Sequence, residues 1–163
     1  IMTIDPIPRS VYADFIVEQF TSTGRKISLD LAGQIYDLVR GHTFYVQAVC
    51  RRVWDQYTDA YVTMHDITQA LHDITSQQVA EYHGYRNLMS SHQWNLFVAI
   101  GKEGAVVSPT GRDFIEQNRL GLGGTVHKSL QFLVEREFVY RDAQDRYVTY
   151  DPLFAWWCKG VQS

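Results

Sequence analysis

The run Leu38-Val39-Arg40-Gly41-His42-Thr43-Phe44-Tyr45-Val46-Gln47 constrains this chain more than any other stretch, because it ends one amphipathic helix and begins the next with a glycine corner between them. Ser28 is a good N-cap for the incoming helix, whose face is Leu31, Ile35, Leu38 and Val39, and Gly41 suits the left-handed residue that ends it. The outgoing helix carries Phe44, Tyr45, Ala48, Val49, Val53 and Trp54 to about Tyr57.

Helical spacing continues on both sides of the corner. From Ser10, the residues Val11, Phe15, Ile16 and Phe20 share a face, with Pro8 and Ser10 marking the start and Gly24 the stop. Thr63 caps a long fourth helix, with Asp66 at capping-box spacing and Ile67, Leu71, Ile74, Val79 and Tyr82 along it. These four helices form one unit over residues 1–90.

After Ser90-Ser91 the pattern changes. Trp94, Phe97, Val98 and Ile100 form a short helix ended by Gly104, and Ser108-Pro109 opens another holding Phe114 and Ile115. Beyond a turn at Gly121–Gly124, either Gly124 or Thr125 caps a third helix with Val126, Leu130, Leu133 and Val134 inward and His127, Lys128, Gln131, Glu135 and Arg136 outward. Phe138-Val139-Tyr140 and Arg146-Tyr147-Val148-Thr149-Tyr150 alternate and flank Asp142-Ala143-Gln144-Asp145, which predicts a hairpin. Three helices and a two-stranded wing are the winged-helix order. Asp151-Pro152 breaks the second strand, and Leu153, Phe154, Trp156 and Trp157 begin a closing helix, giving a second domain over 91–163.

Composition narrows the function classes. With a net charge of −3, and eight basic against eight acidic residues from Ser91 onward, the chain lacks the basic footprint of most nucleic-acid binders. Cys50 and Cys158 have no CxxC partner and read as reduced thiols of a cytoplasmic protein. No apolar run is long enough to span a bilayer, so no membrane partner is expected. The histidines, among them His65, His72, His83 and His92, lack the tight HxxxH spacing of a zinc site, and no nucleophile elbow surrounds Ser108, so neither a metal nor a catalytic residue is expected. The sequence also contains no GxxxxGK[ST] phosphate loop, and its opening Ile1-Met2-Thr3-Ile4 suggests a chain cut from something longer.

The Gly-His-Thr-Phe-Tyr-Val-Gln corner and the Tyr-Val-Thr-Tyr-Asp-Pro-Leu-Phe-Ala-Trp-Trp ending together resemble the C-terminal half of the archaeal-type AAA+ ATPases, relatives of the STAND signalling ATPases. The resemblance implies a mainly α fold: a four-helix lid-type bundle followed by a winged-helix domain with a small β-hairpin. It implies a cytoplasmic, prokaryotic parent that binds ATP or ADP with Mg through an N-terminal domain absent here, and a fragment that is not itself an enzyme and holds no cofactor. In that family a GxP turn lies over the nucleotide; here it is Gly41-His42-Thr43, with the proline replaced. A helix opening after such a turn offers unpaired N–H groups to a nucleotide edge, although Gly41 could equally serve only to end a helix.

The arginine expected just after the turn is replaced by Phe44 and Tyr45, and Arg51 and Arg52 lie more than two turns on, where a solvated face explains them. Met64-His65-Asp66 resembles an ADP-contacting tripeptide of some STAND proteins but falls at a helix cap. Trp156 and Trp157 read as a core plug. For the winged helix two partners are open. As a DNA binder it would present Thr125, His127, Lys128, Gln131 and Arg136, with Arg141 and Arg146 on phosphates. Glu135, Asp142 and Asp145 interrupt that surface and favour docking on the chain's own ATPase domain or a protein partner. The alternative from another class is a free-standing winged-helix transcription regulator with a helical dimerisation or effector domain.

Overall fold

The computed structural model describes residues 7–56 and 60–160, so the Ile1–Ile4 opening and the helix end at Tyr57 lie outside the described residues. The chain divides into two compact units, one up to Ser76 and one from Gln77.

The first unit holds α1 (Arg9–Ser22), α2 (Leu29–Leu38), α3 (Thr43–Gln56) and α4 (Met64–Gln77). Ser28 accepts the Leu31 N–H at 3.0 Å and opens α2 as expected. Thr63 and Asp66 form reciprocal side-chain bonds to each other's backbone at the start of α4, so the tripeptide there is a cap. The α1–α2 pair is clamped by Arg9, which donates Nε and Nη2 to the two Asp37 oxygens at 2.9 and 3.0 Å. Its core is mainly aliphatic, with Ile16, Ile27, Ile35, Val39, Val46, Val49, Val53, Ile67 and Leu71 buried beside Tyr12 and Phe20. One expected face is displaced, because α1 buries Tyr12, Ala13, Ile16 and Phe20 and leaves Val11 and Phe15 outside. Two apolar stripes overlap on that helix, and only packing against α2 selects between them.

The long fourth helix is two helices. It breaks at Gln78, and α5 (Val79–Asn87) starts the second unit. No Gly or Pro marks that break in the sequence; Tyr82 is fully buried against Phe154 and Trp157, at ring distances of 5.4 and 5.1 Å. Its own packing assigns α5 to the second core, not to residues 1–90 with the rest of the helical half.

The second unit continues with α6 (Ser91–Glu103), α7 (Arg112–Asn118), α8 (Gly123–Glu135), β1 (Val139–Arg141), β2 (Tyr147–Thr149) and α9 (Pro152–Gly160). The antiparallel hairpin pairs Val139 with Thr149, Tyr140 with Val148 and Arg141 with Tyr147. Val106 exchanges both backbone bonds with Tyr147, at 2.9 and 2.7 Å, and supplies the strand position between α6 and α7 that completes the winged-helix order. A Ser90–Gln93 capping box opens α6 and Gly104 ends it. Two starts move: Ser108-Pro109 lies in a turn before α7, whose N-cap is Gly111, and Leu122 rather than Gly124 or Thr125 caps α8.

At the closing helix, Asp151 accepts the Leu153 and Phe154 N–H groups at 2.9 and 3.4 Å, leaving Pro152 at the first helical position, where its missing donor costs nothing. A Cβ on Gly101 would lie 2.8 Å from Cys158 Sγ, so α6 and α9 touch where only glycine fits. Phe97 and Phe154 stack at 4.1 Å and 11°. The plug is Leu153, Phe154 and Cys158, with the half-buried Trp157 packed on it against Tyr82, Trp94 and Phe154, whereas Trp156 is half-buried outside that cluster.

Candidate functional site

The α2–α3 corner is built from two successive left-handed residues, Arg40 (φ +53°) and Gly41 (φ +68°). The Arg40 N–H donates to Asp37 O at 3.1 Å and the Gly41 N–H to Tyr36 O at 2.8 Å, the paired bonds of a Schellman end. The residue that reverses α2 is thus Arg40, one before the expected glycine. Gly41 is needed for room as well as for its dihedral, since a Cβ there would lie 2.5 Å from Tyr36 Cζ. The Tyr36 ring is itself fixed by a hydroxyl bond to Ile7 O at 2.6 Å.

Gly41 is buried, whereas His42, Thr43 and Phe44 are exposed. His42 occupies the cap of α3, its carbonyl accepting the Val46 N–H at 2.9 Å. Its ring lies 4.6 Å from Tyr45 at 34°, and Phe44 meets Tyr45 edge-on at 5.6 Å. The corner therefore joins a helix N-terminal turn, which favours negative charge, to a flat imidazole and aromatic face on which a planar ring can lie.

From this corner Phe44, Gln47, Arg51 and Trp54 follow one side of α3. An open groove of about 300 Å³ lies between α1 and α3, lined by Phe15, Phe20, Thr23, Gln47, Cys50 and Trp54. Phe15 is 51% exposed and Trp54 45%. Trp54 is held in place: its indole N–H donates to Thr23 Oγ1 at 2.9 Å, and Arg25 sits 5.7 Å over its ring while donating to Val53 O at 3.1 Å. Helical spacing puts Phe15 on the apolar face of α1 and assigns Trp54 no face, so the groove is not legible from it. Its one signal was an α1 apolar face too wide for a single neighbour. Arg51 is exposed beside Asp55, and Arg52 pairs with Asp73 of α4, each at 3.8 Å.

On the winged helix, Thr125, His127, Lys128 and Gln131 lie exposed along α8. Of the three arginines expected to join them, Arg136 and Arg141 are exposed and Arg146 half-buried, and each also makes a contact within the domain. Arg146 clamps Asp142, with Nε at 3.0 Å and Nη2 at 2.9 Å. Arg141 faces Asp145 at 3.9 Å and covers Tyr147 at 5.2 Å, and Arg136 covers Phe132 at 5.3 Å. The Arg146 backbone N–H, with the Arg146 side chain and the Gln144 N–H behind it, holds the Asp142 carboxyl below its ordinary range.

His92 ties α6 to α8 and the turn before it, its Nδ1 2.6 Å from Ser129 Oγ and Nε2 2.7 Å from Leu120 O. Among the described residues no three His, Cys, Asp or Glu side chains gather as for a metal, and no helix is long and apolar enough to cross a membrane.

Comparison with known proteins matches residues 80–160 to a family described as a probable winged helix domain. That span coincides with the second unit. Among solved structures, the fold resembles a Walker-type ATPase of Pyrococcus abyssi, with a TM-score of 0.68 and 13% identity over 94% of this chain. The chain spans 42% of that protein's length. No curated protein matches the sequence.

Proposed function

We propose that this chain is the lid and winged-helix portion of a P-loop ATPase of the archaeal-type AAA+ and STAND-related class, and that it is not an enzyme on its own. What carries the reading is one observation: both units, in this order, superpose on part of a longer Walker-type ATPase, at a likeness that speaks for fold alone. The absence of a phosphate loop from the sequence agrees with it, since the triphosphate and Mg would be held by a domain outside this chain. Bound ATP would supply the anhydride whose cleavage drives the parent. Gly41, His42 and Thr43 would meet only the nucleotide's edge, through the first amides of α3 and the His42–Tyr45 face. The α1–α3 groove would receive protein, either the ATPase domain or a partner.

For the winged helix we favour protein over DNA, because Arg146 is clamped on Asp142, Asp145 lies beside Arg141, and the unit carries as many acidic as basic residues from Ser91 onward. Calorimetry tests the nucleotide reading: the chain alone should bind ATP no more tightly than millimolar, about −4 kcal/mol, and hydrolyse none. Micromolar binding would overturn it. A phosphate loop roughly 150 to 200 residues upstream in the gene supports the ATPase reading, whereas a start codon near Met2 favours the transcription regulator. Duplex binding that is tight, falls steeply with salt and is lost in Lys128→Ala with Arg136→Ala would reverse the preference for protein.

A further inference from the structure

The positive charge that the second unit leaves unengaged lies in part away from α8 and the wing. Arg86, Arg112, Arg136, Arg141 and Arg146 each meet a carboxylate or an aromatic ring. Among the described residues no ion pair or ring contact is seen for Lys102, Arg119, Lys128 or Lys159, and two of these line one cleft. That cleft, of about 290 Å³, runs between α6 and the end of α7. Trp94, Val98 and Ala99 give it an apolar wall, Asn95, Gln117 and Asn118 bring amides, and Lys102 and Arg119 are its only charged side chains. The nearest acid on α7, Glu116, is committed to Arg112 at 3.0 Å.

Arg119 stands at a position that chemistry alone would give to glycine. It is left-handed (φ +54°, ψ +49°), with its N–H on Glu116 O at 3.3 Å and the Leu120 N–H on Ile115 O at 3.0 Å. An arginine here accepts backbone strain and brings a guanidinium into the cleft. An apolar wall of Val98, Ala99 and the small exposed part of the largely buried Trp94, facing two cations and three amides, is the composition of a small-anion site, and the volume lies at the lower limit of ligand pockets.

We propose that this cleft binds a small organic oxyanion, a phosphate ester or carboxylate, its body along the wall of Trp94, Val98 and Ala99 and its charge between Lys102 and Arg119. The site is independent of the nucleotide corner and of the α8 face, so it would make the winged-helix unit responsive to a metabolite-sized ligand.

The test is a titration of the whole chain at low salt with inorganic phosphate, phenyl phosphate and benzoate, and with phenol as the neutral control. The readout is the Trp94 indole N–H resonance, assigned by its loss in Trp94→Phe. Saturable shifts are expected with phenyl phosphate and benzoate, at least about tenfold tighter for phenyl phosphate than for inorganic phosphate, and none with phenol. Lys102→Gln and Arg119→Gln should each weaken binding about tenfold or more, whereas Lys128→Gln should leave it unchanged. Arg119→Gly keeps the left-handed backbone at no strain, so its loss of binding reports charge and not misfolding. No saturation by any of the three anions overturns the proposal, as does affinity indifferent to Lys102 and Arg119. Binding of polyglutamate without the small anions also overturns it, since the cleft would then be a docking surface for acidic protein.

Discussion

The two units solve the problem of aromatic side chains in opposite ways. The second unit turns them inward: Tyr82, Phe97, Phe138 and Phe154 meet one another around a stacked pair, and its wing arginines are spent on its own acids and rings. The first buries Tyr12 and Phe20 in an otherwise aliphatic core tied by polar clamps, and it leaves Phe15, Phe44 and Trp54 at its surface. The second unit thus closes its aromatics into its own core, whereas the first holds Trp54 in the open, hydrogen-bonded through its indole; on the proposed function, that exposed ring is where a partner's apolar surface would sit.

The largest test of this contrast is Phe154→Ala, which should cost the second unit about 3 to 5 kcal/mol through lost burial and the cavity left behind. In a thermal melt followed by near-ultraviolet dichroism, the second unit's transition should fall and the first unit's stay. A common shift would mean that the two units unfold together. Gly41→Val strikes the first unit less hard, about 1 to 3 kcal/mol, because the left-handed backbone and the Tyr36 ring both oppose a side chain there. An unchanged melting temperature in Gly41→Val would put the corner's strain elsewhere.

Phe15→Ser should change the isolated chain's stability by no more than about 0.5 kcal/mol, as an exposed site, and, on the proposed function, lower turnover of the ATPase it belongs to severalfold. A large loss of stability would make the groove part of the core. The smallest effect concerns the thiols. Burial pushes Cys158 up from 9.0 to about 12. An unfolded thiol therefore ionises first as pH rises, so this group's contribution to stability should decline above pH 9.0. Labelling by a maleimide at neutral pH should reach Cys158 only on unfolding; rapid native labelling would show that α9 opens.

Sequence alone determined much of this molecule, because the signals were local. Ser28, the Thr63–Asp66 box, Ser90 and the Asp151-Pro152 start act within one turn of their own helix, and the hairpin followed from alternation around Asp142–Asp145. The mainly α architecture with a winged helix followed from the same signals in order. What only the tertiary structure decided were choices between equivalent local options. Tyr82 fits a continuous helical stripe equally well whether or not the chain breaks at Gln78, and Phe15 is as apolar outside as inside. The state of Arg146 depends on Asp142 across a turn, and the cleft at Lys102 and Arg119 joins residues of two helices. Periodicity records that a face is apolar or charged; which neighbour arrives to cover or neutralise it is settled by packing, a property of the whole fold.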